Sequence, residues 1–264
     1  MVKILKKVFG LFGLNVSRKI GQSNIDNIGE VIANPANDYP DISLESKKIF
    51  EECRPYTLLG IERVDSIVTS IDYLCTNNIH GDIVECGVWR GGSIYAAVKA
   101  LSLRKSFHRK IYLFDTFEVD AMFGTTNEVE ADKNFLGKTV ADLTAASYNK
   151  ENYNYNVEEV RTLLKSTGYP EENIIFKIGR VENTLPCDDI SQVALLRLDT
   201  DWYESTKHEL IHLFPKVSKE GVLLIDDYGY WEGCRKAVDE YIAENNLSIL
   251  LHRTDYTGRS AIKC

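Results

Sequence analysis

Two pairs of aspartates follow two consecutive apolar runs of the sequence, a spacing that can build a metal site. Asp199 and Asp201 come directly after the first run, and Asp226 and Asp227 end the second. Consecutive strands are usually neighbours in a sheet, so these four carboxylates are expected at one edge. Like charges this close raise each other's pKa unless a positive group lies between them. All-oxygen ligands suit a hard cation, with Mg²⁺ preferred over Ca²⁺ or Mn²⁺.

A glycine-rich turn earlier in the chain indicates a second binding feature. The stretch from Glu85 to Ser93 reads ECGVWRGGS, and its glycines let the backbone approach a ligand just before a helix. The spacing is neither the GxGxxG that binds a pyrophosphate nor a P-loop, and a tight strand-to-helix turn is the alternative. Asp115 ends the next apolar run, where an acid binds ribose hydroxyls in nucleoside-binding sheets. Together they favour a nucleoside ligand without its phosphates, unless Asp115 only caps the following loop.

Apolar runs alternate with amphipathic segments along the chain, which predicts a parallel sheet covered by helices on both faces. Near-continuous β-branched and leucine content indicates strands that are buried on both sides. The predicted strands are Ile83–Cys86, Ile111–Phe114, Asn173–Ile178, Val193–Leu198 and Val222–Ile225, with Ser248–His252 and Ser260–Lys263 as a weaker closing hairpin. The predicted helices are Ser93–Leu103, Val157–Ser166, Glu204–Phe214 and Gly233–Ala243, and residues 45–79 are expected to be largely helical.

Two segments stand outside this alternation. Residues 117–156 carry seven acidic residues without clear periodicity, and an insertion this long usually forms a lid or a substrate wall. Residues 1–19 carry five Lys or Arg and no acid, and their apolar stretch is too short to span a bilayer. Residues 1–44 are therefore interpreted as a basic amphipathic arm, followed by one domain of residues 45–264. The arm suits docking or homo-oligomerisation, with peripheral membrane contact through residues 1–19 as the alternative.

Composition narrows the class of protein. The chain has 264 residues, of which 44% are hydrophobic and 27% charged, as in an ordinary globular domain. The formal net charge of -8 argues against a nucleic-acid binder, which normally carries a basic surface. Six scattered cysteines form no CxxC pair, which favours reduced thiols and a cytoplasmic location.

Several of these stretches, in the same order, resemble the macrocin O-methyltransferase family of the TylF/MycF type. They are GDIVECGVWRGGS, LFDTFE, NTLP, LLRLDTDWYEST and LLIDDYGYWEGCRKAVDEY, and the likeness runs from about Arg54 to Arg259. Members of this family use S-adenosylmethionine to methylate sugar hydroxyls of natural products. The resemblance implies the class I methyltransferase fold, a Rossmann-like α/β sheet of seven strands with the last antiparallel. The sequence departs from the family pattern at Val119, Asp120 and Thr200, near the expected acceptor side.

The resemblance also implies roles for the candidate residues. The implied S-adenosylmethionine-binding residues are Thr57, Glu85, Gly87 and Ser93 along the methionine part, Asp115 on the ribose, and Gly179 and Arg180 near the adenine. The implied ligands of Mg²⁺ are Asp199, Asp226 and Asp227.

These features predict a Mg²⁺-dependent O-methyltransferase that acts on a sugar hydroxyl of a glycosylated metabolite or a polysaccharide precursor. A divalent cation stabilises an alkoxide as it does a bound hydroxide. Asp199 is the predicted ligand and base together, with Asp201 as the rival base. One alternative is a nucleotide-sugar glycosyltransferase that uses Asp199-Thr200-Asp201 as a DxD metal motif, which leaves Asp226 and Asp227 without a role. Another is an interaction protein that keeps the fold without the activity.

Two further sets of side chains leave two interpretations open. Aromatic residues flank the acidic motifs and can stack on a sugar ring or belong to the core, namely Trp202, Tyr203, Tyr228 and Trp231. His208 and His212 share one helix face, but they lack an HExxH pattern, which favours packed or solvated rings over metal ligands.

Overall fold

Seven strands of the chain form one mixed sheet. The computed structural model describes residues 39–118, 132–139, 142 and 155–264. The strands in these residues are β1 Asp82–Cys86, β2 Ile111–Asp115, β3 Ile174–Ile178, β4 Val193–Leu198, β5 Val217–Ile225, β6 His252–Arg253 and β7 Arg259–Ile262. Their order across the sheet is β3-β2-β1-β4-β5-β7-β6. The pairs from β3 to β5 are parallel, and β7 pairs antiparallel with both β5 and β6, which confirms the predicted fold class.

Helices precede β1, occupy the crossovers between the parallel strands and follow β5. In the described residues they are α1 Leu44–Cys53, α2 Ile61–Thr76, α3 Gly92–Leu103, α4 Val157–Lys165, α5 Val181–Thr184, α6 Tyr203–Leu213 and α7 Glu232–Glu244. Asn156 caps the N-terminus of α4, because its side chain accepts hydrogen bonds from the amides of Glu158 and Glu159 at 3.0 Å. Helix α3 begins directly after Gly91, which has a φ of +85°.

Two apolar clusters cover the two faces of the sheet. Alternate residues of a strand point to opposite faces, and Ile111 and Leu113 belong to one cluster while Tyr112 and Phe114 belong to the other. All four side chains are fully buried. The central strands are therefore covered on both sides, as their apolar content predicts.

The structure moves some predicted boundaries. Strand β5 begins at Val217, five positions before its predicted start, and the polar residues that hid this extension include the exposed Lys219 and Glu220. The Glu220 amide donates to the Lys263 carbonyl at 2.6 Å, so this stretch is held by backbone pairing. The predicted strand Ser248–His252 was wrong for most of its length, because β6 spans His252–Arg253 alone. Leu247, Ile249 and Leu251 pack against the core instead of forming a ladder.

Most of the two segments singled out in the sequence lies outside the described residues. Residues 1–38 of the basic arm are not described, nor are 119–131, 140–141 and 143–154 of the insertion. Leu44–Cys264 form one compact unit of the chain. Among the helices of the described residues, none has the length and hydropathy needed to cross a membrane.

Candidate active site

The carboxyl ends of the parallel strands open into one cavity of about 540 Å³. Ligands of open α/β sheets bind at this edge. The predicted site residues that line the cavity are Thr57, Gly87, Ser93, Asp115, Gly179, Arg180, Asp199, Asp201, Asp226 and Asp227. Glu85 lies beneath this lining, with 1% of its surface exposed. The structure thus places the predicted nucleoside-binding residues and the predicted metal ligands around one space.

The turn after β1 packs backbone to backbone against the residues that follow β4. Gly87 has a φ of +82°, and a Cβ built on it would lie 1.8 Å from the carbonyl oxygen of Asp199. The Asp199 amide donates to the Cys86 carbonyl at 2.8 Å. Because no side chain fits between these backbones, position 87 requires glycine for close approach as well as for its dihedral angles. The turn therefore fixes the backbone that carries the predicted base.

Asp115 holds the glycine-rich turn from the neighbouring strand. Its Oδ2 accepts from the amides of Val88 at 2.6 Å and Trp89 at 2.8 Å. Its Oδ1 accepts from the Phe117 amide at 2.7 Å and from the Tyr155 hydroxyl at 3.2 Å. Burial and the Asp115 charge raise the pKa of the Tyr155 hydroxyl, which stays a donor. Asp115 has the structural role that the sequence left open, and it also lines the cavity.

Three aspartates at the ends of β4 and β5 form a cluster in the lining of the cavity. Carboxylate oxygens of Asp199, Asp226 and Asp227 lie within 4.8 Å of one another. The buried Arg197 joins them from below, donating to Asp199 at 2.7 Å and to Asp226 at 2.6 Å. Its Nη1 donates to Glu85 at 2.6 Å, whereas Nη2 makes both bonds to the aspartates. One guanidinium group therefore ties the ends of β1, β4 and β5 together.

A second arginine reaches the cluster from α2. Arg63 donates to Asp226 through Nη1 and to Asp255 through Nε, the latter at 2.7 Å. Its Nη2 donates to the hydroxyl of Thr257. Both oxygens of Asp226 thus accept from an arginine, and each keeps a second lone pair for another partner.

Negative charge still exceeds positive charge at this end of the cavity. Burial and neighbouring carboxylates raise the pKa of Asp199 and of Asp227 well above the usual range. Burial, followed by the Asp199 charge, raises the pKa of Asp201 to about 7. The Oδ2 atom of Asp227 is buried without a hydrogen-bond partner in the described residues. A donor set of clustered, under-compensated carboxylates suits a hard divalent cation.

Three of the residues that shape this site were missed by the sequence analysis. Arg197 left a signal, because it is the lone charge inside the apolar run VALLRL. Arg63 left none, since its partner Asp226 is 163 positions away. Glu209 is fully buried on α6 and accepts from the Thr200 hydroxyl at 2.8 Å. This contact joins the loop after β4 to α6.

The aromatic and histidine residues singled out in the sequence differ in their position relative to the cavity. Trp202 and Trp231 line the cavity with their rings 4.9 Å apart. Tyr203 and Tyr228 lie outside its lining, and their hydroxyls donate to Glu240 and Asp239 on α7. The rings of His208 and His212 contact each other at 4.3 Å. Among the described residues, the Asp199, Asp226 and Asp227 group is the one that clusters as metal ligands do.

The strand order, the glycine turn on β1 and the acid on β2 define a class I methyltransferase. Residues 50–260 match the family described as Macrocin-O-methyltransferase (TylF). The chain belongs to this family and is an S-adenosylmethionine-dependent O-methyltransferase. The glycosyltransferase alternative is not favoured, because Asp199 clusters with Asp226 and Asp227 inside a methyltransferase fold.

Relatives of known activity and structure agree with this assignment. The chain is 32% identical over 203 residues to demethyldecarbamoylnovobiocin O-methyltransferase of Streptomyces niveus, covering 77% of this chain and 74% of the relative. It is 30% identical over 203 residues to 8-demethyl-8-(2,3-dimethoxy-alpha-L-rhamnosyl)-tetracenomycin-C 4'-O-methyltransferase of Streptomyces olivaceus, with the same two coverages. The solved structure of the O-methyltransferase NovP matches with a TM-score of 0.67 and 31% identity, covering 79% of this chain and 82% of that one.

Asp115→Ala is expected to weaken the binding of S-adenosylmethionine by about 1–3 kcal/mol, the cost of hydrogen bonds lost from a charged group. Calorimetric titration of the purified variant measures this affinity directly. Asp188→Ala, which removes an exposed aspartate outside the cavity lining, is the control and is expected to bind normally. Unchanged affinity in Asp115→Ala would remove this residue from the cofactor site.

Proposed function

We propose that this enzyme transfers the methyl group of S-adenosylmethionine to a hydroxyl of a sugar, in a glycosylated metabolite or a polysaccharide precursor, and that it requires Mg²⁺. The name of the relative from Streptomyces olivaceus includes a rhamnosyl group, which supports a sugar acceptor. The observation that carries the proposal is the cluster of Asp199, Asp226 and Asp227 beside the glycine turn, with oxygens within 4.8 Å. Such a cluster suits an acceptor oxygen that needs help to lose its proton.

In the proposed reaction, some residues of the chain would bind the methyl donor and another would accept the proton of the acceptor. The turn at Gly87 and the Asp115 carboxylate hold the methyl donor on one side of the cavity. Asp199 takes the proton of the acceptor hydroxyl while the oxygen of that hydroxyl attacks the methyl carbon. The new C–O bond forms as the bond between the methyl carbon and sulfur breaks. S-adenosylhomocysteine and the methyl ether are the products. Positioning supplies much of the rate, because the sulfonium donor is already activated.

Asp199, Asp226 and Asp227 would hold the Mg²⁺, which lowers the pKa of an oxygen that it contacts when bound. Arg197 and Arg63 orient the Asp226 carboxylate from two sides, leaving lone pairs on its oxygens. Arg197 also holds the carboxylate of Asp199 next to that of Asp226, because it donates to both. Groups that orient the ligands of a metal in this way strongly influence its affinity.

Removing divalent cations is expected to lower turnover by about 10²- to 10³-fold, because charge stabilisation by a metal is worth several kcal/mol. The assay follows S-adenosylhomocysteine over a panel of sugar acceptors in EDTA, with excess Mg²⁺ added back. Nuclear magnetic resonance of the product locates the new methyl group. Calorimetry with S-adenosylmethionine in EDTA is the control and should show retained binding.

Two results would contradict the proposal. Full turnover in EDTA would remove the metal requirement. Affinity for UDP-glucose in Mg²⁺, without affinity for S-adenosylmethionine, would favour the alternative in which Asp199 and Asp201 form the metal motif of a glycosyltransferase.

We place the reaction in the cytoplasm as part of the proposal, supported by six cysteines that are all free thiols. Self-association and membrane contact of the N-terminal arm stay predictions.

A further inference from the structure

A fully buried carboxyl group contacts the loop that follows β4. Glu209 on α6 has no exposed surface, and its Oε1 accepts from the Thr200 hydroxyl at 2.8 Å. Its Oε2 is buried without a hydrogen-bond partner in the described residues. Thr200 lines the cavity, whereas Glu209 is outside this lining. Because a buried polar group with incomplete hydrogen bonding costs free energy, packing of α6 alone does not explain an acid at this position.

Thr200 is held at both its backbone and its side chain. Its carbonyl accepts from the Trp202 amide at 2.8 Å and from the Ser205 hydroxyl at 3.2 Å. Its own hydroxyl donates to Glu209, further along the same helix. Since Thr200 lies between Asp199 and Asp201, the contacts that fix it also fix the direction in which both carboxylates leave the backbone.

The next residue in this loop has a backbone conformation that needs support. Asp201 has a φ of +70°, in the left-handed region that costs free energy for a residue with a Cβ. Such a conformation persists only where the surrounding structure holds it. The bond between Thr200 and Glu209 is directly adjacent to Asp201, so its loss would let the loop relax and turn the carboxylates away from the cavity.

Glu209 also lies near the end of β1, where the same loop is attached. Burial and the proximity of Glu209 raise the pKa of the Cys86 thiol well above its usual range. The Cys86 carbonyl accepts from the Asp199 amide at 2.8 Å. Burial raises the pKa of Glu209 itself well above its usual range. This environment favours the uncharged acid, whose acceptor oxygen a glutamine would reproduce.

We propose that Glu209 is a positioning residue for methyl transfer, which acts through the Thr200 hydroxyl to hold the loop after β4 in the conformation that presents Asp199 and Asp201 to the cavity. The inference rests on the proposed function, in which one of these carboxylates accepts the proton of the acceptor. Glu209 contacts neither substrate nor cofactor. Its part is that of a hydrogen-bond acceptor buried behind the reacting groups.

Removing both partners of the bond separates positioning from a purely structural role. Thr200→Val with Glu209→Leu replaces the hydroxyl and the carboxyl by apolar groups of similar shape, a change that is nearly neutral or stabilising for a buried pair. Urea unfolding should therefore show a stability equal to that of the wild type or higher. In contrast, kcat is expected to fall by about 10- to 100-fold, because small displacements of a catalytic group have effects of this size.

Hydrogen exchange of the loop measures its conformation without any acceptor. The intact chain is saturated with S-adenosylhomocysteine and Mg²⁺, and the exchange of residues 199–202 is followed by mass spectrometry. These amides are expected to exchange about tenfold faster in the double variant, as expected for opening that the lost hydrogen bond no longer opposes. Exchange of β2 and the affinity for S-adenosylhomocysteine should stay as in the wild type.

Two single variants are the matched controls. Glu209→Gln keeps an acceptor oxygen at the same position, and it is expected to retain most of the turnover that Glu209→Leu loses. Leu213→Ala opens a cavity at another fully buried position of α6. It should lower the urea midpoint while kcat and the exchange of residues 199–202 stay as in the wild type.

The outcomes distinguish this inference from the proposed function. Wild-type exchange of residues 199–202 in the double variant would overturn the inference, whatever happens to kcat. A loss of turnover that Leu213→Ala reproduces would show a structural role, and one that Glu209→Gln shares in full would show a need for charge; either result overturns it too. Faster exchange of the loop in the double variant, with no sugar methylated by the wild type, would reject the proposed function and leave the positioning of the loop standing.

Discussion

Asp199→Asn is expected to lower kcat by about 10²- to 10⁴-fold, the range for loss of a general base. The substitution keeps the size of the side chain but removes the charge that accepts the proton and contacts the cation. Binding of S-adenosylmethionine should change little, because the amide of residue 199 still donates to the Cys86 carbonyl and keeps the glycine turn in shape. Initial rates at saturating substrates give kcat, and calorimetry gives the affinity for the donor.

Asp201→Asn is the variant to compare with Asp199→Asn, because Asp201 is the rival base. Burial raises the pKa of Asp201 to about 7, and a pKa near the working pH suits a general base. If Asp199 is both ligand and base, Asp201→Asn loses much less activity than Asp199→Asn. A larger loss in Asp201→Asn would transfer the base to Asp201, and wild-type turnover in Asp199→Asn would refute its assigned role.

Strand ends made most of the site predictable from sequence. Buried strands leave an unmistakable apolar run, and parallel strands bring the residues after each run to one edge. That reasoning predicts Asp115, Asp199 and Asp226 at one edge of the sheet, and all three line the cavity. The pairing of β4 with β5 also followed, since consecutive strands are usually neighbours, whereas the return of the chain from β3 to β4 on the far side of β1 did not.

Contacts between distant parts of the chain were not predictable in the same way. Arg63 and Asp226 are 163 positions apart, and no local pattern on α2 distinguishes this arginine from a solvated one. Polar residues also hid the first half of β5, because the exposed Lys219 and Glu220 interrupt the apolar run and the Glu220 amide is held by backbone pairing with Lys263.

Gly87→Ala is the second substitution from which we expect a large effect. The new Cβ would lie 1.8 Å from the Asp199 carbonyl oxygen, so the end of β1 or the loop after β4 must move. The φ of +82° adds about 1–2 kcal/mol of strain for a residue with a Cβ. Overpacking of a filled space adds about 1–3 kcal/mol. Both the free energy of unfolding and the affinity for S-adenosylmethionine should fall, the latter because the turn lines the cavity.

Gly168→Ala separates the clash from the strain. Gly168 has a φ of +75°, nearly that of Gly87, but a Cβ built on it has no atom within 4 Å. This variant should therefore lose only the strain, about 1–2 kcal/mol of unfolding free energy, and bind S-adenosylmethionine as the wild type does. Urea unfolding and calorimetry of both variants give the comparison. Equal losses in the two variants would mean that the approach of Gly87 to Asp199 does not constrain the site, and the turn would then be a connection between β1 and α3 without a part in positioning the base.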